Sequence, residues 1–166
     1  MKSIFLAICL VVCVLLQLFF LQGWQTSGTV GNLVLSFIVI AALFASTEEL
    51  LWLALFGGLS SDLYASSGFG FYLGFYLLVA IIAKYFLKFG EVEYSWWKPI
   101  VFLVVASFVQ GMASSLPLLA SSSITTVTAR MVVYVSLTAA TGVGWYLIFT
   151  QLAELSKKIN VPKMLR

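Results

Sequence analysis

The chain has no histidine, one aspartate and two cysteines, and charged residues make up 9% of its 166 positions. Each scarcity closes off a class of chemistry. Without histidine there is no imidazole base and no His-ligated metal, and Cys9 and Cys13 have no second pair to complete a thiolate site. Because Asp62 is the sole aspartate, intramembrane catalysis by an aspartate pair is excluded too. No H-E-x-x-H, G-x-S-x-G or phosphate-loop motif occurs, and no channel filter is legible. The expectation is a protein that is not an enzyme and uses neither cofactor nor metal.

What the sequence has in abundance is apolar surface. At 62% hydrophobic, it lies far outside the soluble mixture of roughly 45–50% apolar and about 25% charged residues. The apolar runs do not alternate as barrel strands do. They are long enough to approach the roughly 20 residues of a crossing helix, which selects an all-α membrane fold. The runs fall near Ile4–Leu21, Gly31–Ser46, Leu50–Tyr64, Phe69–Leu87, Pro99–Ala120 and Arg130–Leu152. They predict a bundle of six transmembrane helices in a single domain with short loops, the third span being short for a crossing.

Cation placement sets the expected orientation. Six spans put both termini on one side. If that side is the cytoplasm, Lys2, Lys84, Lys88, Lys98, Lys157, Lys158, Lys163 and Arg166 lie inside, and Arg130 alone lies near an outer end. Dropping the third span would place Lys84, Lys88 and Lys98 outside, so the bias supports the even count. The basic inner segments suit anionic lipid headgroups, and nucleic acid need not be invoked. The expected location is the cytoplasmic membrane, in multi-pass form. Lys2 and the run after it are read as an uncleaved first helix, because Gln22–Val30 offers no good cleavage site.

Cys9 and Cys13 share one face of that helix and read as packing residues. Glu91, Glu93, Tyr94, Trp96 and Trp97 resemble a headgroup-level anchor ahead of Pro99, while Ser121–Thr128 reads as a plain connector. Ser46-Thr47-Glu48-Glu49 matches a capping box, with a contact to a cytoplasmic partner as the alternative.

Ala54, Gly58 and Asp62 recur every four residues and form a small-residue groove ending in a carboxylate. Gly70 and Gly74 offer a matching stripe on the fourth helix, joined through Ser66-Ser67-Gly68. An ionisable group at membrane depth needs a partner. Arg130 at the start of the sixth helix and Asn32 at the start of the second are the candidates, giving an expected Asp62–Arg130 ion pair with Asn32 nearby. Recognition of a ligand or partner protein by Asp62 is the functional alternative. Gln110 is expected to hydrogen-bond between helices, in a segment that Gly111 and Pro117 could kink. Lys84 and Lys88 are expected to snorkel to the headgroups.

The stretch Gly31-Asn32-Leu33, then Phe56-Gly57-Gly58-Leu59-Ser60-Ser61-Asp62-Leu63-Tyr64, then Gly68-Phe69-Gly70-Phe71-Tyr72 resembles the rod shape-determining protein MreD family. Gly58, Asp62 and Gly70 occupy its G-x-x-x-D-x-x-x-x-x-x-x-G pattern, and Gly31-Asn32 stands where the family often has Pro-Asp. The resemblance covers about the central third of the chain. It implies a non-catalytic scaffold of the cell-elongation machinery, acting in cell shape and peptidoglycan synthesis. It also implies contact with an MreC-like bitopic protein and, through it, with MreB and the wall-synthesis complex. The same segment is similar to one in S components of energy-coupling-factor vitamin transporters. That likeness implies instead a small-molecule pocket lined by Asp62, Asn32, Arg130 and Trp24 and open to the outer face.

Overall fold

The computed structural model describes residues 2–21, 31–64, 69–88, 97–115 and 123–159. Among them are six α-helices and no strand: α1 (Lys2–Leu16), α2 (Leu33–Phe44), α3 (Thr47–Tyr64), α4 (Phe71–Lys88), α5 (Trp97–Ser115) and α6 (Ile124–Ile159). A π-helical turn, Gln17–Leu21, continues α1. The chain is therefore all-α, as expected, with one helix for each apolar run. The Ser66–Gly68 turn, Trp24, Glu91 to Trp96, Pro117 and the basic residues after 159 lie outside the described residues.

Local chemistry fixes several of the helix ends. The Asn32 side chain accepts the Leu35 N–H at 2.8 Å to start α2, which stops where Ala45 turns extended at φ −79° and ψ 153°. The capping box then opens α3 at once. The Ser46 N–H donates to Glu49 Oε2 at 2.8 Å, and the Glu49 N–H donates back to Ser46 Oγ at 3.3 Å. This early start lengthens α3 to 18 residues, against the short span expected. Pro99 sits in the first turn of α5, where its missing N–H costs nothing.

The start of α6 differs from expectation. Ser123 accepts the N–H groups of Thr126 and Val127 at 3.1 and 3.2 Å. Its hydroxyl lies 3.0 and 2.7 Å from those of Thr125 and Thr126. The helix consequently begins at Ile124, so the latter part of the expected connector is helical and Arg130 lies inside α6, not at its start.

The shortest of the six helices holds the centre. Every residue of α2 from 34 to 42 is buried, and α2 touches α1, α3, α4, α5 and α6. A helix apolar on all sides is stable only when surrounded, and here five neighbours supply the surround. Its contact with α6 is polar at one end, where Thr141 Oγ1 donates to Ser36 Oγ at 3.1 Å. Beyond Ser36 it is aromatic. Phe37 meets Trp145 edge-on at 5.4 Å, and Phe44 stacks on Phe149 at 5.3 Å.

Two helices, Trp97–Ser115 and Ile124–Leu152 within α6, are long and apolar enough to cross a membrane by length and composition. Ser3–Phe19, Leu33–Phe44 and Phe71–Leu87 are apolar but shorter. Only 33% of the apolar window in the first long helix, and 17% in the second, is buried inside the molecule. Val105, Phe108, Val132 and Leu147 are among the large apolar side chains that face outward.

Candidate functional site

Several buried polar side chains gather around Asn32. It is 3% exposed, and every hydrogen-bonding group it owns is engaged. Its amide Nδ2 donates to Tyr76 Oη at 2.5 Å and to Gln110 Oε1 at 3.3 Å, while Oδ1 receives the Leu35 N–H. Its backbone N–H donates to Thr138 Oγ1 at 3.0 Å, and its carbonyl accepts from Ser36 N at 3.2 Å. One asparagine thus ties α2 to α4, α5 and α6. Tyr76, Gln110 and Thr138 are themselves buried, at 0%, 2% and 0% exposure. Nearby, Gln17 Oε1 accepts the Val34 N–H at 3.1 Å, which brings the end of α1 to the start of α2.

Close backbone approach makes this junction possible. A Cβ on Gly31 would come within 2.8 Å of Leu137 Cβ and 3.1 Å of Thr138 N, so only glycine lets α6 reach Asn32. A Cβ on Gly111 would come within 3.3 Å of the Tyr134 ring, setting α5 against α6.

Asp62 belongs to a different arrangement. It is 5% exposed, and its two carboxylate oxygens accept the backbone N–H groups of Tyr72 and Leu73 at 2.8 and 3.0 Å. It therefore caps the start of α4, where unsatisfied N–H groups and the helix dipole favour an anion. The expected ion pair with Arg130 is not formed, and Asn32 is not among the hydrogen-bond partners of Asp62. The reason is economy of desolvation: amides ten residues along the chain neutralise the carboxylate, whereas pairing would also bury a guanidinium. Arg130 is half-buried on α6.

The small-residue stripes divide in two. Ala54 is fully buried, and a Cβ on Gly58 would lie 2.6 Å from Leu73 Cα, so both sit in a tight α3–α4 contact as expected. Gly70 does something else: its φ of +99° belongs to the left-handed region, and nothing lies within 4 Å of a Cβ there. It shapes the turn into α4. Gly74 is exposed and likewise has nothing within 4 Å, so the expected matching stripe on α4 is absent from this contact.

At the opposite end of the bundle, polar groups clasp four helices. The Lys84 ammonium donates to the carbonyls of Ala42 and Ala45 at 3.1 and 2.5 Å, capping the end of α2 instead of reaching outward. The Ser3 hydroxyl of α1 donates to Glu49 Oε1 of α3. Cys13 is buried and Cys9 half-buried, both as free thiols in the packing of α1.

Sequence reasoning missed Tyr76, Thr138 and Lys84 as organising residues. Tyr76 and Lys84 did carry a signal, being polar groups inside an apolar helix. Thr138 had none, since threonine satisfies itself on a helix through the carbonyl four residues back, here Tyr134 at 2.8 Å. Among the described residues no group of three or more metal-ligating side chains occurs. Comparison with protein families, curated proteins and solved structures returns no match for the chain.

Proposed function

We propose that the chain is a six-span protein of the cytoplasmic membrane, with both termini inside, and that it works as a non-catalytic scaffold. The observation that carries this reading is an inversion of the usual soluble pattern. Polar groups such as Asn32, Tyr76, Gln110 and Thr138 bond to one another inside, while the broad outward faces of α5 and α6 are apolar. Water would not tolerate such a surface, and hydrocarbon requires it. The shorter α2 need not face lipid along its length, because its neighbours enclose it.

The particular scaffold we propose is an MreD-like member of the cell-elongation machinery that meets an MreC-like bitopic protein. Its support is the resemblance at Gly58, Asp62 and Gly70, sharpened by the roles of these residues. Gly58 permits the α3–α4 approach, Asp62 caps α4 and Gly70 makes the turn between them, so the three build one corner. The vitamin-transporter reading draws less support. It needs Asp62 and Asn32 free to meet a ligand, and their hydrogen bonds are spent on Tyr72, Leu73, Tyr76 and Gln110.

Affinity purification from a rod-shaped bacterium expressing the tagged chain tests the scaffold. Recovery of a bitopic wall-synthesis partner is expected. Recovery of transporter ATPases, or thermal stabilisation by a vitamin, would favour the transporter instead.

A further inference from the structure

Arg130 carries a charge that no acid of the chain offsets. It stands half-buried on α6, and among the described residues its guanidinium has no hydrogen-bond or ion-pair partner. The chain has six acids, and topology removes each of them. Asp62, the acid at this end, is buried with its two oxygens on the amides of Tyr72 and Leu73. Glu48 and Glu49 open α3 at the opposite end of the bundle. Glu91 and Glu93 belong to the segment 89–96 between α4 and α5. That segment can double back by no more than about 14 Å, whereas α4 alone rises about 27 Å. Glu154 lies further along α6 by about 36 Å. The counter-charge of Arg130 therefore comes from outside the chain.

We propose that Arg130 holds the phosphate of an anionic lipid in the outer leaflet, with one acyl chain laid along α6. The proposal rests on the membrane reading above. Depth points to a headgroup. Ile124–Leu152 rises about 43 Å, which leaves about 6–7 Å at either end beyond a hydrocarbon layer of about 30 Å. Arg130 stands about 9 Å in from Ile124, so its stem lies at the hydrocarbon edge and its head reaches the phosphates. A guanidinium fork matches two phosphate oxygens, and Thr126, one turn outward on the same face, is exposed. Inward from Arg130 that face is apolar. Val133 and Leu137 are 46% and 43% exposed, Ala140 is exposed, and nothing lies within 4 Å of a Cβ on Gly144. Val133 to Gly144 covers about 16 Å, the depth of one leaflet's hydrocarbon. A cation followed by an open apolar track of that length matches a lipid's own order, phosphate and then chain. Charge selects the headgroup: Asp62 is buried and cannot meet a headgroup ammonium, so a net-anionic lipid is favoured over a zwitterionic one.

The test uses the full-length protein in phosphatidylcholine nanodiscs carrying a trace of photoreactive lipid, its diazirine midway along one acyl chain and its headgroup either phosphatidylglycerol or phosphatidylcholine. Adducts on the Val133–Gly144 stretch are counted by mass spectrometry. About tenfold more is expected from phosphatidylglycerol, the scale of one charge-assisted hydrogen bond. Arg130→Gln breaks no internal bond, so the unfolding temperature holds while the preference disappears. Ala140→Leu blocks the track at an exposed position, so adducts from both lipids fall and the unfolding temperature again holds. Adducts near Lys98, at the opposite end of the bundle, stay the same in both variants. Equal labelling of the native chain by the two lipids, a preference that survives Arg130→Gln, or undiminished adducts in Ala140→Leu overturns the proposal. So does a photo-crosslinker at Thr126 that captures a protein in whole cells in place of a lipid. A chain that stays monomeric in water without detergent defeats the membrane reading itself, a separate outcome seen before any lipid is added.

Discussion

Asn32 and Asp62 both sit where a helix begins, yet they stabilise the molecule differently. Asp62 serves two amides of one helix start, so its loss leaves two N–H groups without acceptors at a buried site. Asp62→Ala is expected to cost about 1–3 kcal/mol in detergent unfolding, with Asp62→Asn intermediate because one carbonyl oxygen remains. A double-mutant cycle with Arg130→Ala should give coupling near zero, and a coupling above about 1 kcal/mol would restore the ion pair that the geometry lacks. Asn32 serves four helices. Interhelical hydrogen bonds in membranes average about 0.6 kcal/mol, so Thr138→Val, which removes one acceptor, should cost about that much. Asn32→Ala should cost several times more, since it strips the α2 cap and leaves Tyr76 and Gln110 short of a donor. Equal losses in the two variants would contradict the network.

At the α3–α4 corner the two backbones approach closely. Gly58 and Gly74, each four residues from another small residue, behave oppositely. Gly58→Ala drives a methyl into the Leu73 backbone and should destabilise by about 1–3 kcal/mol, whereas Gly74→Ala meets open space. The latter should be neutral or stabilising by up to about 1 kcal/mol through better helix propensity. Thermal unfolding of the two variants side by side checks this. The α5–α6 pairing relies on Gly111, and that of α2 with α6 on Gly31. Pattern reading found the α3 stripe because its spacing of four is a property of any helix. It could not assign Gly74 to lipid or protein, because spacing alone does not say which face of α4 turns toward α3.

At the scale of the molecule, α6 is the element most out of proportion. Its 36 residues span about 54 Å at 1.5 Å per residue, against a hydrocarbon layer of about 30 Å, so under the proposed membrane reading it tilts, extends into the headgroups, or both. In a chain with Cys9 and Cys13 replaced by serine, a cysteine at Thr125 should react with an impermeant maleimide from outside the cell. One at Leu137 should not react, and one at Gln151 should react only from the cytoplasmic side. Labelling of both positions from the same side would break the proposed six-span topology, and labelling with the two sides exchanged would invert it.

Composition and periodicity by themselves determined that the chain is helical and how its apolar runs divide, because backbone satisfaction without water depends on run length and not on neighbours. They also determined local caps such as Ser46 with Glu49, whose partners lie three residues apart. What only the tertiary structure decided is which polar groups meet. Asn32 finds Thr138, Gln110 and Tyr76 across 106, 78 and 44 residues of sequence, and Asp62 turns from a distant arginine to the amides at the start of α4. Those choices depend on helix rotation and close backbone approach, which a one-dimensional pattern does not encode.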